Sequence, residues 1–148
     1  MCLALRGKNA FLFGLISFLV GHICYTVGFS CLASIGGWTW AASAIVIVFS
    51  GSVYRWLRPH LGPMKGPVFL YIIVISLMVL SASSVLGNSS LDRTARMMIF
   101  SGSVFFYLSD LFVARDRFLK KEFLNRLVGL PMYYIGQFLL AFSVGLVS

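Results

Sequence analysis

The chain has 148 residues, of which 59% are hydrophobic, 16% aromatic and only 11% charged. A soluble domain carries about a quarter of its residues as charged side chains, so this composition, with a mean hydropathy of +0.94, excludes a water-soluble globule. The net charge of +8, from 12 Lys and Arg against 4 Asp and Glu, falls in short clusters between long apolar runs. That pattern suits lipid headgroups rather than nucleic acid, for which no role is expected. Cys2, Cys24 and Cys31 are odd in number and form no CxxC pair, which argues against a disulfide framework or a zinc site.

Five stretches are long and apolar enough to cross a bilayer, which takes about 20 residues per helix: 10–29, 34–54, 67–87, 95–114 and 130–148. They define an all-α fold, a polytopic transmembrane helical bundle, with residues 1–148 as a single membrane domain. In the first span Phe18, His22, Tyr25 and Phe29 recur on one helix face. Gly14, Gly21 and Gly28 form a separate seven-residue repeat that would let another helix approach closely. Arg6 and Lys8 precede this span as in a secretory signal, yet the apolar run continues through His22 and Tyr25 without a small-x-small cleavage site. Gly36-Gly37, Gly62-Pro63 and Gly87-Asn88 mark connections. Pro67 and Pro131 are expected at helix starts, where a missing N–H costs least. Asn88-Ser89-Ser90 is a glycosylation sequon, too close to the membrane to be used readily.

The fourth span holds Asp110, the one acidic residue inside a span. An aspartate at a helix centre costs about 2.5–3.5 kcal/mol to insert, and less toward the cytoplasmic end, where Asp110 lies. Ser103, Tyr107 and Asp110 are four and three residues apart and share a face. This stripe is either a hydrogen-bonding anchor for helix packing or a chemical site, and the same two readings apply to His22. Residues 115–128 follow, with Leu119, Phe123 and Leu127 at four-residue spacing among basic side chains. They read as a short interfacial helix or as a solvated basic loop. The last span opens with Tyr133, Tyr134 and Gln137; the tyrosines fit an interfacial aromatic belt, whereas Gln137 sits deeper.

Arg6, Lys8, Arg55, Arg58, Lys65, Arg115, Arg117, Lys120, Lys121 and Arg126 fall on one side of the membrane, and Arg93 and Arg96 on the other. This asymmetry places the N-terminus in the cytoplasm. No GxSxG, HExxH, Walker loop or His/Cys/Glu cluster occurs, so serine-hydrolase, metal-dependent and nucleotide-driven chemistry lack support. No metal or cofactor is expected.

Taken in order, several stretches resemble the lysoplasmalogenase family of membrane proteins, also called the YhhN family. They are Phe13-Gly14-Leu15 through Gly21-His22-Ile23-Cys24-Tyr25 and Phe29, then Pro67-Val68 with Tyr71. Next comes Ser109-Asp110-Leu111-Phe112-Val113-Ala114-Arg115-Asp116-Arg117-Phe118, and finally Pro131, Tyr133, Tyr134, Gln137 and Ser143. Members of that family are longer, with a Gly-Asp motif upstream of the His-containing helix. Against that pattern this chain reads as a truncated member, whose activity then depends on whether both aspartates are needed.

The resemblance implies hydrolysis of the vinyl ether of lysoplasmalogens to a fatty aldehyde and a glycerophospho-base. Such an ether is cleaved by protonating its β-carbon, after which water adds to the oxocarbenium. A low-dielectric setting favours an uncharged carboxyl, which suits an intramembrane aspartate to the role of general acid. The resemblance thus implies Asp110 and His22 as catalytic residues, with Tyr25, Tyr107, Ser109, Tyr133, Tyr134 and Gln137 binding substrate. Arg115 and Arg117 would receive the headgroup phosphate. The implied partners are a lysophospholipid substrate, membrane lipids and, in an oligomer, further copies of the chain. The implied location is an endomembrane such as the endoplasmic reticulum in a eukaryote, or the inner membrane in a bacterium. Two other readings stay open: an inactive membrane scaffold whose polar stripes are packing contacts, and a proton-coupled carrier with Asp110 and His22 as relay. Carriers usually show inverted repeats, and none is visible here.

Overall fold

The computed structural model describes residues 8–34 and 36–147, with side chains from Leu12 onward. Cys2, Arg6, the Lys8 side chain and Ser148 therefore lie outside the described residues. Five helices follow one another: α1 (Lys8–Leu32), α2 (Gly37–Leu57), α3 (Lys65–Val85), α4 (Arg93–Phe118) and α5 (Phe123–Val147). Each is long and apolar enough to cross a membrane. There is no strand among the described residues. The protein is an all-α, multi-pass membrane bundle.

Local chemistry explains most of the helix ends. Two short 3-10 turns, Arg58–His60 and Gly62–Met64, link α2 to α3. Gly62 there has φ of +50°, a conformation that other residues rarely adopt. Asp92 caps α4, its carboxylate accepting from the Thr94 N–H at 2.8 Å. Pro67 falls in the first turn of α3, as its missing N–H allows. Pro131, expected at a helix start, instead lies inside α5. The helix begins further back, at Phe123, because Phe123 to Val128 join it, and the ring leaves the Leu127 carbonyl without its usual i+4 donor. For the same reason residues 115–128 are neither a separate interfacial helix nor a long loop. α4 runs on to Phe118, and the Leu119 and Lys120 N–H groups close the end by sharing the Arg115 carbonyl at 3.0 Å.

α3 is the central helix, packed against α1, α2 and α4, while α5 lies along α4. Its inward face carries Ile72, Ile75, Met78, Val79, Ala82 and Val85, all buried. Several serines in the spans are satisfied within their own helix: Ser52 donates to the Val48 carbonyl at 2.7 Å and Ser103 to the Ile99 carbonyl at 2.8 Å. Such bonds leave few polar groups unpaired in lipid. Where the chain turns on the side away from Arg115, Asn88 donates to the Leu32 carbonyl at 2.9 Å, tying the α3–α4 turn to the end of α1. Its carboxamide oxygen accepts from Ser90 N–H and O–H.

Helices α4 and α5 approach closely at a pair of glycines. A Cβ placed on Gly102 would meet Leu140 at 2.9 Å and the Gly136 carbonyl at 3.1 Å; one on Gly136 would meet the Gly102 carbonyl at 3.0 Å. Gly21 and Gly28, expected to admit a neighbouring helix, have nothing within 4 Å of the same position. The space beside these two is unfilled within this chain because α1 turns inward His22 and Phe29, about 100° round the helix from them, whereas Gly14 of the same repeat is buried. Small residues permit contact but do not by themselves choose which helix fills the space.

Candidate active site

Three spans converge on one polar cluster. His22 comes from α1, Tyr71 from α3 and Asp110 from α4. The Tyr71 hydroxyl donates to Asp110 Oδ2 at 2.7 Å. His22 Nε2 lies 3.0 Å from the same hydroxyl and 3.3 Å from the same Oδ2. Since the single phenolic proton is directed to Asp110, Nε2 must be the protonated nitrogen in its contacts with Tyr71 and Asp110.

Burial is uneven across the cluster. His22 is 1% exposed and its Nδ1 has no partner among the described residues. The rings of Phe106 and Phe18 pack on the imidazole at 5.2 and 6.5 Å. Asp110 is reachable, with 14% of its side chain exposed. It opens on a cleft of about 40 Å³ lined by Leu15, Phe18, Val68, Tyr71, Val113 and Phe118. That volume admits one water-sized group, and its wall is otherwise apolar.

Depth follows from the helix rise of 1.5 Å per residue. Asp110 stands roughly 12 Å below the Phe118 end of α4, and Tyr71 roughly 9 Å below the Lys65 end of α3. The cleft residues Leu15, Val68, Ala114 and Phe118 lie on the way to that end. The rim there is basic but partly neutralised within the chain. Glu122 takes Lys120 at 2.7 Å and Arg115 at 3.2 Å, and Asp116 takes Arg126 at 3.4 Å. The hydrogen bond and charge of Lys120, and then the charge of Arg115, hold the Glu122 carboxyl below its ordinary value. Arg115 thus turns to Glu122 and not to Asp110, and the basic side chain within 4.0 Å of Asp110 among the described residues is His22, at 3.3 Å.

The other residues singled out from the sequence are placed apart from this cleft. Tyr107 bonds Ser50 at 2.8 Å, and Ser50 bonds Ser76 at 2.7 Å, forming a second polar seam between α2, α3 and α4. Ser109 donates to the Gly129 carbonyl at 3.1 Å and so links α4 to α5. Gln137 donates to the Tyr133 hydroxyl at 3.1 Å. The Tyr133 ring packs edge-on against Phe18 and Phe106, at 5.9 and 5.1 Å, behind the imidazole. Tyr25 stacks on Phe29, and Tyr134 is 58% exposed. Tyr71 was singled out only as part of a motif, although it holds Asp110. A phenol in the otherwise apolar run Val68 to Ile75 was the available signal, but such tyrosines also occur as belt residues.

No group of three or more metal-ligating side chains occurs among the described residues. Fold and site together define a multi-pass helical membrane protein with a carboxyl, a phenol and an imidazole joined within the bilayer. The chain belongs to the YhhN family, whose model matches residues 1–144. No curated protein and no solved structure gives a match.

Proposed function

We propose that the protein hydrolyses the vinyl ether of lysoplasmalogens, with Asp110 in its protonated form as general acid. The observation that supports this most is the Asp110 carboxyl, reachable from an apolar cleft yet without a Lys or Arg partner within 4.0 Å among the described residues. Among the described residues no activated Ser or Cys nucleophile stands beside it: Ser109, its neighbour in sequence, is engaged with Gly129. A lone acid suits a reaction whose slow step is protonation of carbon.

The steps balance with one carboxyl. Asp110 gives its proton to the β-carbon of the alkenyl chain, leaving a carboxylate and an oxocarbenium ion. Water attacks the oxygen-bearing carbon and returns a proton to Asp110. The hemiacetal collapses as its hydroxyl proton moves to the departing glycerol oxygen, releasing the aldehyde. Tyr71, and His22 through Nε2, donate toward Oδ2 and stabilise the carboxylate while it exists. The apolar cleft wall receives the start of the alkenyl chain. The glycerophosphate faces the basic rim on the cytoplasmic side, where Arg115 and Arg117 supply positive charge.

The test is aldehyde release from alkenyl-lysophosphatidylethanolamine by the purified full chain in nanodiscs. The expected result is turnover by the wild type and at least a hundredfold loss in Asp110→Asn, which keeps the shape but not the acid. Equal release by both proteins, or none by a folded wild type, would refute the proposal.

A further inference from the structure

The two oxygens of Asp110 differ in their surroundings. Oδ2 takes the Tyr71 hydroxyl at 2.7 Å and lies 3.3 Å from His22 Nε2. Oδ1 has no hydrogen bond from a described residue. Among the described residues the buried side-chain atoms without a partner are His22 Nδ1, Arg96 Nε and Asn125 Oδ1. Asp110 Oδ1 is not among them, so it is not sealed, and the exposed part of the side chain opens on the cleft. Two donors directed at one oxygen disfavour a proton there, because an O–H would meet another donor instead of a lone pair.

We infer that Tyr71 and His22 are positioning residues that keep the acidic proton of Asp110 on Oδ1, facing the cleft. This deepens the reading of Asp110 as general acid and rests on it. Tyr71 fixes Oδ2 directly. His22 acts behind it, its Nε2–H spanning the phenol oxygen and Oδ2. Nδ1 is buried without a partner among the described residues, so the polar contacts of the imidazole run through Nε2, toward Tyr71 and Asp110. The imidazole does not line the cleft. The other titratable or polar groups near the cluster are Tyr107 on α4, turned to Ser50, and Tyr133 on α5, turned to Gln137. The nearest guanidinium on α4, Arg115, is held by Glu122.

The experiment combines infrared spectroscopy with kinetics on the full chain in nanodiscs. The carboxylic C=O band of Asp110 is isolated as the difference between wild type and Asp110→Asn. Tyr71→Phe removes the 2.7 Å donor; the band should rise in frequency and kcat should fall about 10–100-fold, the scale of one charge-assisted bond. His22→Leu should move the band in the same direction, and His22→Gln, which retains an N–H donor, should restore much of the wild-type position. A band unchanged in Tyr71→Phe would overturn the inference while leaving the acid assignment intact. A band that responds to Tyr71→Phe in a protein that releases no aldehyde would uphold the clamp and refute the proposed reaction. No Asp110 carboxylic band at neutral pH would overturn both.

Discussion

Replacing Gly136 by alanine tests whether the α4–α5 contact supports the back of the site. A Cβ there lies 3.0 Å from the Gly102 carbonyl and 3.3 Å from both N and Cδ2 of Phe106, where ordinary contact begins at 3.4 Å. The carbonyl belongs to a helix backbone and cannot rotate away, so the helices must separate by a few tenths of an ångström. Overpacking of this kind costs about 1–3 kcal/mol, offset by the roughly 1 kcal/mol helix preference of Ala over Gly. Gly28→Ala supplies the reference, because nothing lies within 4 Å of its Cβ position and it receives only the propensity gain. The two variants should therefore differ by about 1–3 kcal/mol, the overpacking cost alone. The assay is SDS titration of the full chain in mixed micelles, followed by tryptophan fluorescence and far-UV circular dichroism. Phe106 packs 5.2 Å from the His22 ring, so Gly136→Ala should also disturb the Asp110 carboxyl band. Unfolding of Gly136→Ala and Gly28→Ala at the same SDS fraction would refute this account of the packing.

Ser50→Ala should destabilise the bundle by about 1–3 kcal/mol in the same titration, since it leaves the Tyr107 hydroxyl without its 2.8 Å partner; a double-mutant cycle with Tyr107→Phe should recover part of that loss. Hydrogen bonds from Thr94 hold the Asp92 carboxyl below its ordinary value of 3.8. Its folded value is then below its unfolded one, so the cap stabilises above the unfolded value and stops doing so as pH falls through the folded one. The stability gap between wild type and Asp92→Ala should accordingly shrink as pH drops from about 5 to about 3, and a gap constant over that range would contradict the capping role. In a background free of cysteine, a membrane-impermeant maleimide should label Ser89→Cys from the non-cytoplasmic side of intact cells and Lys121→Cys only after permeabilisation; the opposite pattern would invert the proposed topology.

The spans were legible because each must bury its backbone bonds within one apolar run, which makes a membrane helix a local property of the sequence. Asp110 was legible for a related reason, since an acid in such a run is costly wherever the other helices lie. Face arguments reached less far. Tyr107 and Asp110 share a stripe on α4, yet one bonds Ser50 and the other bonds Tyr71. Periodicity gives the direction of a side chain from its own axis but not the identity of the helix it meets. The same limit explains Gly21 and Gly28, whose repeat invited a contact that Gly102 and Gly136 make instead.

By itself, then, the sequence determined that the chain crosses a membrane as helices, roughly where each crossing lies, and that one carboxyl is placed within a span. Only the tertiary structure decided that residues 49 and 39 positions from each other's partners, His22 with Tyr71 and Tyr71 with Asp110, meet at one oxygen. It also decided that the imidazole stands behind the acid, closed off from the cleft. The physical reason is that helix formation rests on bonds four residues apart, whereas a polar cluster between helices rests on which faces pack together.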